Sequence, residues 1–80
     1  MTTDTLTIGD IDSRLNAFGQ RLRTIRRASH LSQKELAEVS GLHRVTINRL
    51  EQGTVDVGLV SLWKLAKALS VSTSELAGES

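Results

Sequence analysis

Arg44, Val45, Thr46 and Arg49 stand in the segment RVTINRLEQ, where Ile47, Leu50 and Glu51 mark the opposite side of a short helix. Residues 44, 45 and 49 then share an outer face on adjacent turns. An arginine so placed can bond guanine O6 and N7 together, and Val45 or the Thr46 methyl can meet a thymine methyl. The plainer alternative is a solvated helix face that happens to carry arginine. Other chemistries find no residues. His30 and His43 are the only histidines, cysteine is absent and no carboxylate cluster joins them, so neither a metal site nor a cofactor is expected. No nucleophile, base and orienting group come together, and 80 residues leave little room for a substrate pocket, so the chain does not read as an enzyme.

The elements that must position these residues read as helices throughout. Leu15, Phe18, Leu22 and Ile25 recur at spacings of 3, 4 and 3, which predicts a first helix running from Asp12 and fading over 28–30. Gly19 interrupts nothing in that stripe and reads as a close-packing position. Ser32-Gln33-Lys34-Glu35 is a capping box that opens a second helix, with Leu36 and Ala37 inward. Gly41 stops it in a left-handed turn. The third helix covers about 44–52 and stops at Gly53. Only Gly41, Leu42 and His43 separate the two, too few for antiparallel packing, so they must cross steeply as a helix-turn-helix. A fourth helix starts near Gly58 and carries the stripe Leu59, Leu62, Leu65, Ala66 and Leu69. Ser72-Thr73-Ser74-Glu75 opens a short fifth with Leu76 inside. The expectation is an all-α fold, a compact five-helix domain over 12–80, preceded by a flexible, acidic arm over 1–11.

The stretch SQKELAEVSGLHRVTINRLEQG resembles the lambda-repressor-like, Xre-type helix-turn-helix family, and the similarity extends from FGQRLRTIRRA to LVSLWKLAKALSVSTSEL, residues 18–76. Gln33, Glu35, Leu36, Ala37, Gly41, Ile47, Glu51 and Gly53 all fall in family register. The resemblance implies a bundle of five helices, usually homodimeric, that binds pseudo-palindromic operator DNA. It implies base contacts at Arg44, Val45, Thr46 and Arg49 and phosphate contacts at Gln33, His43 and Gln52. It also implies a buried or half-buried ion pair between Arg26 and Glu51. Three positions depart from the family pattern. His43 stands where Ser or Thr often caps the third helix, Gly53-Thr54-Val55-Asp56-Val57 replaces a loop that is often basic or Pro-containing, and Ser70 stands where Gly commonly ends the fourth helix.

A net charge of +1 conceals an uneven distribution. Residues 14–49 hold Arg14, Arg21, Arg23, Arg26, Arg27, Lys34, Arg44 and Arg49 against Glu35 and Glu38 alone, while both ends are acidic. A basic middle suits a polyanion, and Arg23 and Lys34 join the expected phosphate contacts on that ground. Val60 and Trp63 lie beside the fourth helix's stripe, either as a half-buried edge of the core or as a dimer or partner surface. Val71 and Leu76 complete the apolar candidates for that surface, with Leu76 packing partly inward. So small a core, without disulfides, gains from a homodimer made through the fourth and fifth helices. No uncharged stretch exceeds seven residues, so no membrane span is expected, and the absence of cysteine fits a cytoplasmic chain. The expected function is sequence-specific binding of double-stranded operator DNA by a homodimeric transcription regulator that represses by occupancy. Two alternatives stand beside it: an antitoxin that binds a toxin protein and represses its own operon, and an adaptor that uses the same fold to contact proteins.

Overall fold

A computed structural model describes residues 5–78. Within them, α1 spans Ile8–Ala28, α2 Gln33–Ser40, α3 Arg44–Gln52, α4 Leu59–Leu69 and α5 Thr73–Ala77, and every regular element described is a helix. The capping boxes expected at Ser32 and Ser72 form, each hydroxyl accepting from the amide of the glutamate three residues on.

The start of α1 differs from the expectation. Thr7 Oγ1 accepts from the Asp10 amide at 3.0 Å, and the Asp10 carboxylate accepts from the Thr7 amide at 2.9 Å. This third capping box begins the helix at Ile8 rather than Asp12. The arm expected over 1–11 is therefore corrected: 8–11 are helix, and only 5–7 precede it among the described residues. Residues 1–4 of that arm lie outside the described residues. Ile8 and Ile11 are exposed, because this first part of α1 runs past the bundle. It contributes to a long axis of 46 Å against 24 and 21 Å for the others.

Leu22 of α1, Leu36 of α2, Ile47 and Leu50 of α3, Leu65, Ala66 and Leu69 of α4 and Leu76 of α5 form one buried cluster. Burying each large aliphatic side chain contributes about 1.5–3 kcal/mol. α3 lies against α1 and α2, α2 against α4, and α5 ties α4 back to α1. At Gly19 an added Cβ would stand 2.5 Å from the backbone oxygens of both Leu50 and Glu51, so α1 and α3 meet backbone to backbone there.

Two apolar positions are placed otherwise than expected. The apolar spacing of α4 puts Leu59 in its inward stripe, yet Leu59 is 61% exposed. Full burial on α4 is confined to Leu65, Ala66 and Leu69; in its first turn Leu62 is half-buried against the core and Leu59 faces out. The expected partner surface includes Leu76, yet Leu76 is 0% exposed. The Ser72 capping box sets α5 between α4 and α1 with Leu76 directed into the core. Val71 is half-buried and packs on the same core.

Candidate nucleic-acid interface

The turn between α2 and α3 is built from local rules. Gly41 has φ 77°, the left-handed region that other residues enter only at a cost, and its amide donates to the Ala37 carbonyl at 3.0 Å. Buried Ser40 accepts the Leu42 amide on its Oγ at 3.2 Å, which fixes the exit of the chain toward α3. Ser40 is absent from the expected set; a small hydroxyl residue directly before Gly41 is its only signal in the sequence. His43 takes the N-cap position of α3 without a side-chain capping bond.

α3 buries Ile47, Leu50 and Glu51. The opposite face accordingly exposes Arg44, Val45 and Arg49, while Thr46 and Asn48 are half-buried at its margins. Gln33, Arg44, Val45 and Asn48 together line a shallow cleft of about 390 Å³ between the start of α2 and α3. Lys34, His43 and Gln52 are exposed around it. Ser32 Oγ takes the amide of Glu35, which leaves the Gln33 and Lys34 amides at the N-terminus of α2, where the helix dipole favours an anion.

Behind α3, Glu51 gathers four donors. Arg26 Nε donates to Oε2 at 2.6 Å and Arg26 Nη2 to Oε1 at 3.0 Å. Gln33 Nε2 and Arg23 Nε donate to the same Oε1 at 3.1 and 3.3 Å. Arg26 Nη1 donates to the Leu31 carbonyl at 2.9 Å, so the guanidinium also ties down the α1–α2 link. Burial pushes the Glu51 carboxyl up, but the bonds from Arg26 and Gln33, the Arg26 charge and the Arg23 bond outweigh it. The group stays ionised below its ordinary range. The bond to Glu51 likewise raises the Arg26 guanidinium against a smaller opposing effect of burial.

This network changes the place of two expected phosphate contacts. Arg23 is held by Glu51, with its side chain 43% exposed. The Gln33 amide nitrogen is engaged by Glu51 and, at 3.4 Å, by Asn48 Oδ1. Its side chain therefore offers an oxygen rather than a donor, and its backbone amide is the group suited to a phosphate. Asn48 is a cleft residue absent from the expected contact set; its signal was a place one turn beyond Arg44 on the same helix.

The partner-surface candidates separate. Val60 and Trp63 are 59% and 54% exposed on one face of α4, joined there by Leu59, whereas Leu76 is buried and Val71 is half-buried against the core. Among the described residues no group of three His, Asp or Glu is placed to hold a metal ion. None of the described helices is long and apolar enough to cross a membrane.

Comparison with known proteins agrees with this architecture. The Helix-turn-helix family (HTH_3) matches residues 22–76. Control protein C.BamHI of Bacillus amyloliquefaciens is 43% identical over 60 residues, 74% of each chain. Control protein C.SmaI of Serratia marcescens is 44% identical over 59 residues, 74% of this chain and 70% of that one. Among solved structures, the restriction-modification controller protein C.AhdI from Aeromonas hydrophila superposes with a TM-score of 0.78 at 47% identity, covering 80% of this chain and 97% of that chain.

Proposed function

The chain belongs to the helix-turn-helix family and is a DNA-binding transcription regulator rather than an enzyme, and from that premise we propose that it reads a pseudo-palindromic operator as a homodimer. The observation that carries the proposal is the division of α3, with Ile47, Leu50 and Glu51 seated in the bundle and Arg44, Val45 and Arg49 turned outward beside the start of α2. A helix so mounted enters the major groove with its N-terminal half. Arg44 and Arg49 then bond base edges, Val45 and the Thr46 methyl meet thymine methyls, and Lys34, His43, Gln52 and the Gln33 amide hold the flanking backbone.

The dimer forms through the first turns of α4, where Leu59, Val60 and Trp63 leave apolar surface uncovered. Two-fold symmetry then sets the two α3 helices roughly 34 Å apart on one face of the duplex. C.AhdI is described as a restriction-modification controller. The same role is the reading we adopt here, with the chain acting in the cytoplasm on the promoter of a restriction–modification operon. The antitoxin alternative gains no support from relatives that are controllers and transcriptional regulators.

Selection of bound duplexes from random DNA tests the proposal. Enrichment of two inverted half-sites one helical turn apart is the expected result. Failure to enrich any sequence would leave the adaptor as the better account.

A further inference from the structure

The apolar stripe of α1 does not end where the bundle does. Leu22 is buried, Phe18 and Leu15 are half-buried, and the same spacing continues to Ile11 and Ile8, which are both exposed. The Thr7–Asp10 capping box holds these leading turns as helix although nothing covers them. α1 packs on α3 and α5, and Asn16 marks the place where the chain leaves α3 at Gly53. Ile8 stands eight residues earlier, about 12 Å farther along the helix axis, so its own bundle does not reach it. The family match begins only at residue 22, and the leading turns lie outside it. Residues 5–13 hold Asp10 and Asp12 and no base, so this end is acidic as well as apolar. Apolar side chains gathered uncovered on one helix face mark a contact surface.

The outer face of α4 carries the complementary pattern. Val60, Trp63, Lys64 and Lys67 fall at i, i+3, i+4 and i+7, all are exposed, and α4 contains no acid. On α1 the same four places hold Ile8, Ile11, Asp12 and Leu15. Asp12, Lys64 and Lys67 make no ion pair among the described residues. We propose that the leading turns of α1 in one copy lie on the α4 face of a second copy, with Ile8 and Ile11 against Trp63 and Asp12 toward Lys64, and that two-fold symmetry repeats the contact. Charge favours this occupant. Two α1 ends laid together would set Asp10 and Asp12 against their own copies, acid against acid, whereas α4 offers lysines beside its apolar residues. Resting on the proposed dimer through the first turn of α4, this contact adds a second element to it. Leu59 and Val60 meet their copies at the axis, and the α1 end of the other copy covers the following turn. The helix is already formed before the copies meet, so little chain freedom is lost on association.

The test measures the dimer dissociation constant by sedimentation equilibrium for the wild type, the Ile8→Ala/Ile11→Ala double variant and Trp63→Ala. The double variant truncates side chains exposed in their own copy and improves helix propensity, so the bundle still folds. It should raise the dissociation constant by about 10-fold or more and weaken operator binding with base preference unchanged. Asp12→Lys and Lys64→Glu should each raise it by about 2- to 5-fold, and the two changes together should restore it. The chain has no cysteine, so Ile11→Cys in a tagged copy mixed with Lys64→Cys in an untagged copy gives a clean cross-link under mild oxidation. The mixed disulfide should form in preference to either self-disulfide, because only residues whose Cβ atoms approach closely can be bridged. A dominant Ile11→Cys self-disulfide would show that the α1 ends meet each other and would overturn the inference. An unchanged constant in the double variant, with Trp63→Ala still dissociating the dimer, would also overturn it while leaving the α4 dimer intact. A wild type that stays monomeric at every concentration would overturn both this contact and the dimer it rests on.

Discussion

Glu51 and Arg26 are joined by two hydrogen bonds, Nε to Oε2 at 2.6 Å and Nη2 to Oε1 at 3.0 Å, with the carboxylate fully buried and the guanidinium side chain 10% exposed. The clamp fastens α1 to the rear of α3. Removing one partner of a buried pair strands the other charge and costs about 3–5 kcal/mol. Glu51→Ala should therefore lower the melting temperature by many degrees, while Glu38→Ala, on the exposed face of α2, should leave it nearly unchanged. Equal melting temperatures for the two variants would contradict a structural role for the clamp.

The same pair sets an acid limit. The Glu51 carboxyl is held below its ordinary value of 4.5 in the folded chain. A depressed carboxyl contributes stability above its unfolded pKa and loses it as pH falls through the folded pKa. Stability should decline below about pH 4. Glu51→Gln should be less stable at neutral pH yet show a shallower decline on acidification. Asp10 and Glu35, lowered by their bonds to the Thr7 and Ser32 backbones, remain in the variant and keep its profile from becoming flat. Parallel melting-temperature profiles from pH 7 to pH 3 would assign the acid response elsewhere.

Two glycines of α1 should respond in opposite senses to alanine. At Gly19 a methyl group meets the Leu50 and Glu51 carbonyls, which are backbone and cannot swing aside. The expected loss is about 1–3 kcal/mol despite the better helix propensity. At Gly9 the nearest heavy atom is Thr7 Oγ1 at 3.6 Å, an ordinary contact. Gly9→Ala should gain up to about 1 kcal/mol. Chemical denaturation reads both; a stabilised Gly19→Ala would show that α1 and α3 do not meet as described.

What was legible in the sequence follows the range of the interaction behind each feature. The caps at Ser32 and Ser72 and the left-handed stop at Gly41 depend on residues within one turn, and they stand where the spacing puts them. The inward residues of α3 follow from period alone. The start of α1 is legible as well: Ile8 and Ile11 continue the spacing of Leu15, Phe18, Leu22 and Ile25 back to the Thr7–Asp10 box, but that box carries Asp where Glu or Gln is usual, and the Thr-rich, acidic composition masks it. Leu59 and Leu76 exchanged places because Leu59 stands on the outer side of the first turn of α4, while the single turn of α5 directs Leu76 into the core. The Gln33–Asn48 contact joins residues 15 apart through side chains alone, and no periodic pattern announces such a bond.

Trp63 is the only tryptophan in the chain, so its fluorescence reports the exposed face of α4 without interference. If Leu59, Val60 and Trp63 meet their two-fold copies, dilution should shift the emission to the red as dimers separate. Trp63→Ala should weaken operator binding while leaving the preferred sequence unchanged. An emission spectrum constant across the dimer–monomer transition followed by ultracentrifugation would place the interface elsewhere.

The claim that α3 reads bases through its exposed arginines is tested most directly by equilibrium binding of the wild type, Arg44→Ala, Arg49→Ala and Lys34→Ala to a selected site and its single-base variants. Arg44→Ala and Arg49→Ala should each lose about 1–3 kcal/mol of discrimination at one base pair per half-site. Lys34→Ala should weaken all sequences alike and make binding less dependent on salt. Full wild-type base preference retained in both arginine variants would contradict the account.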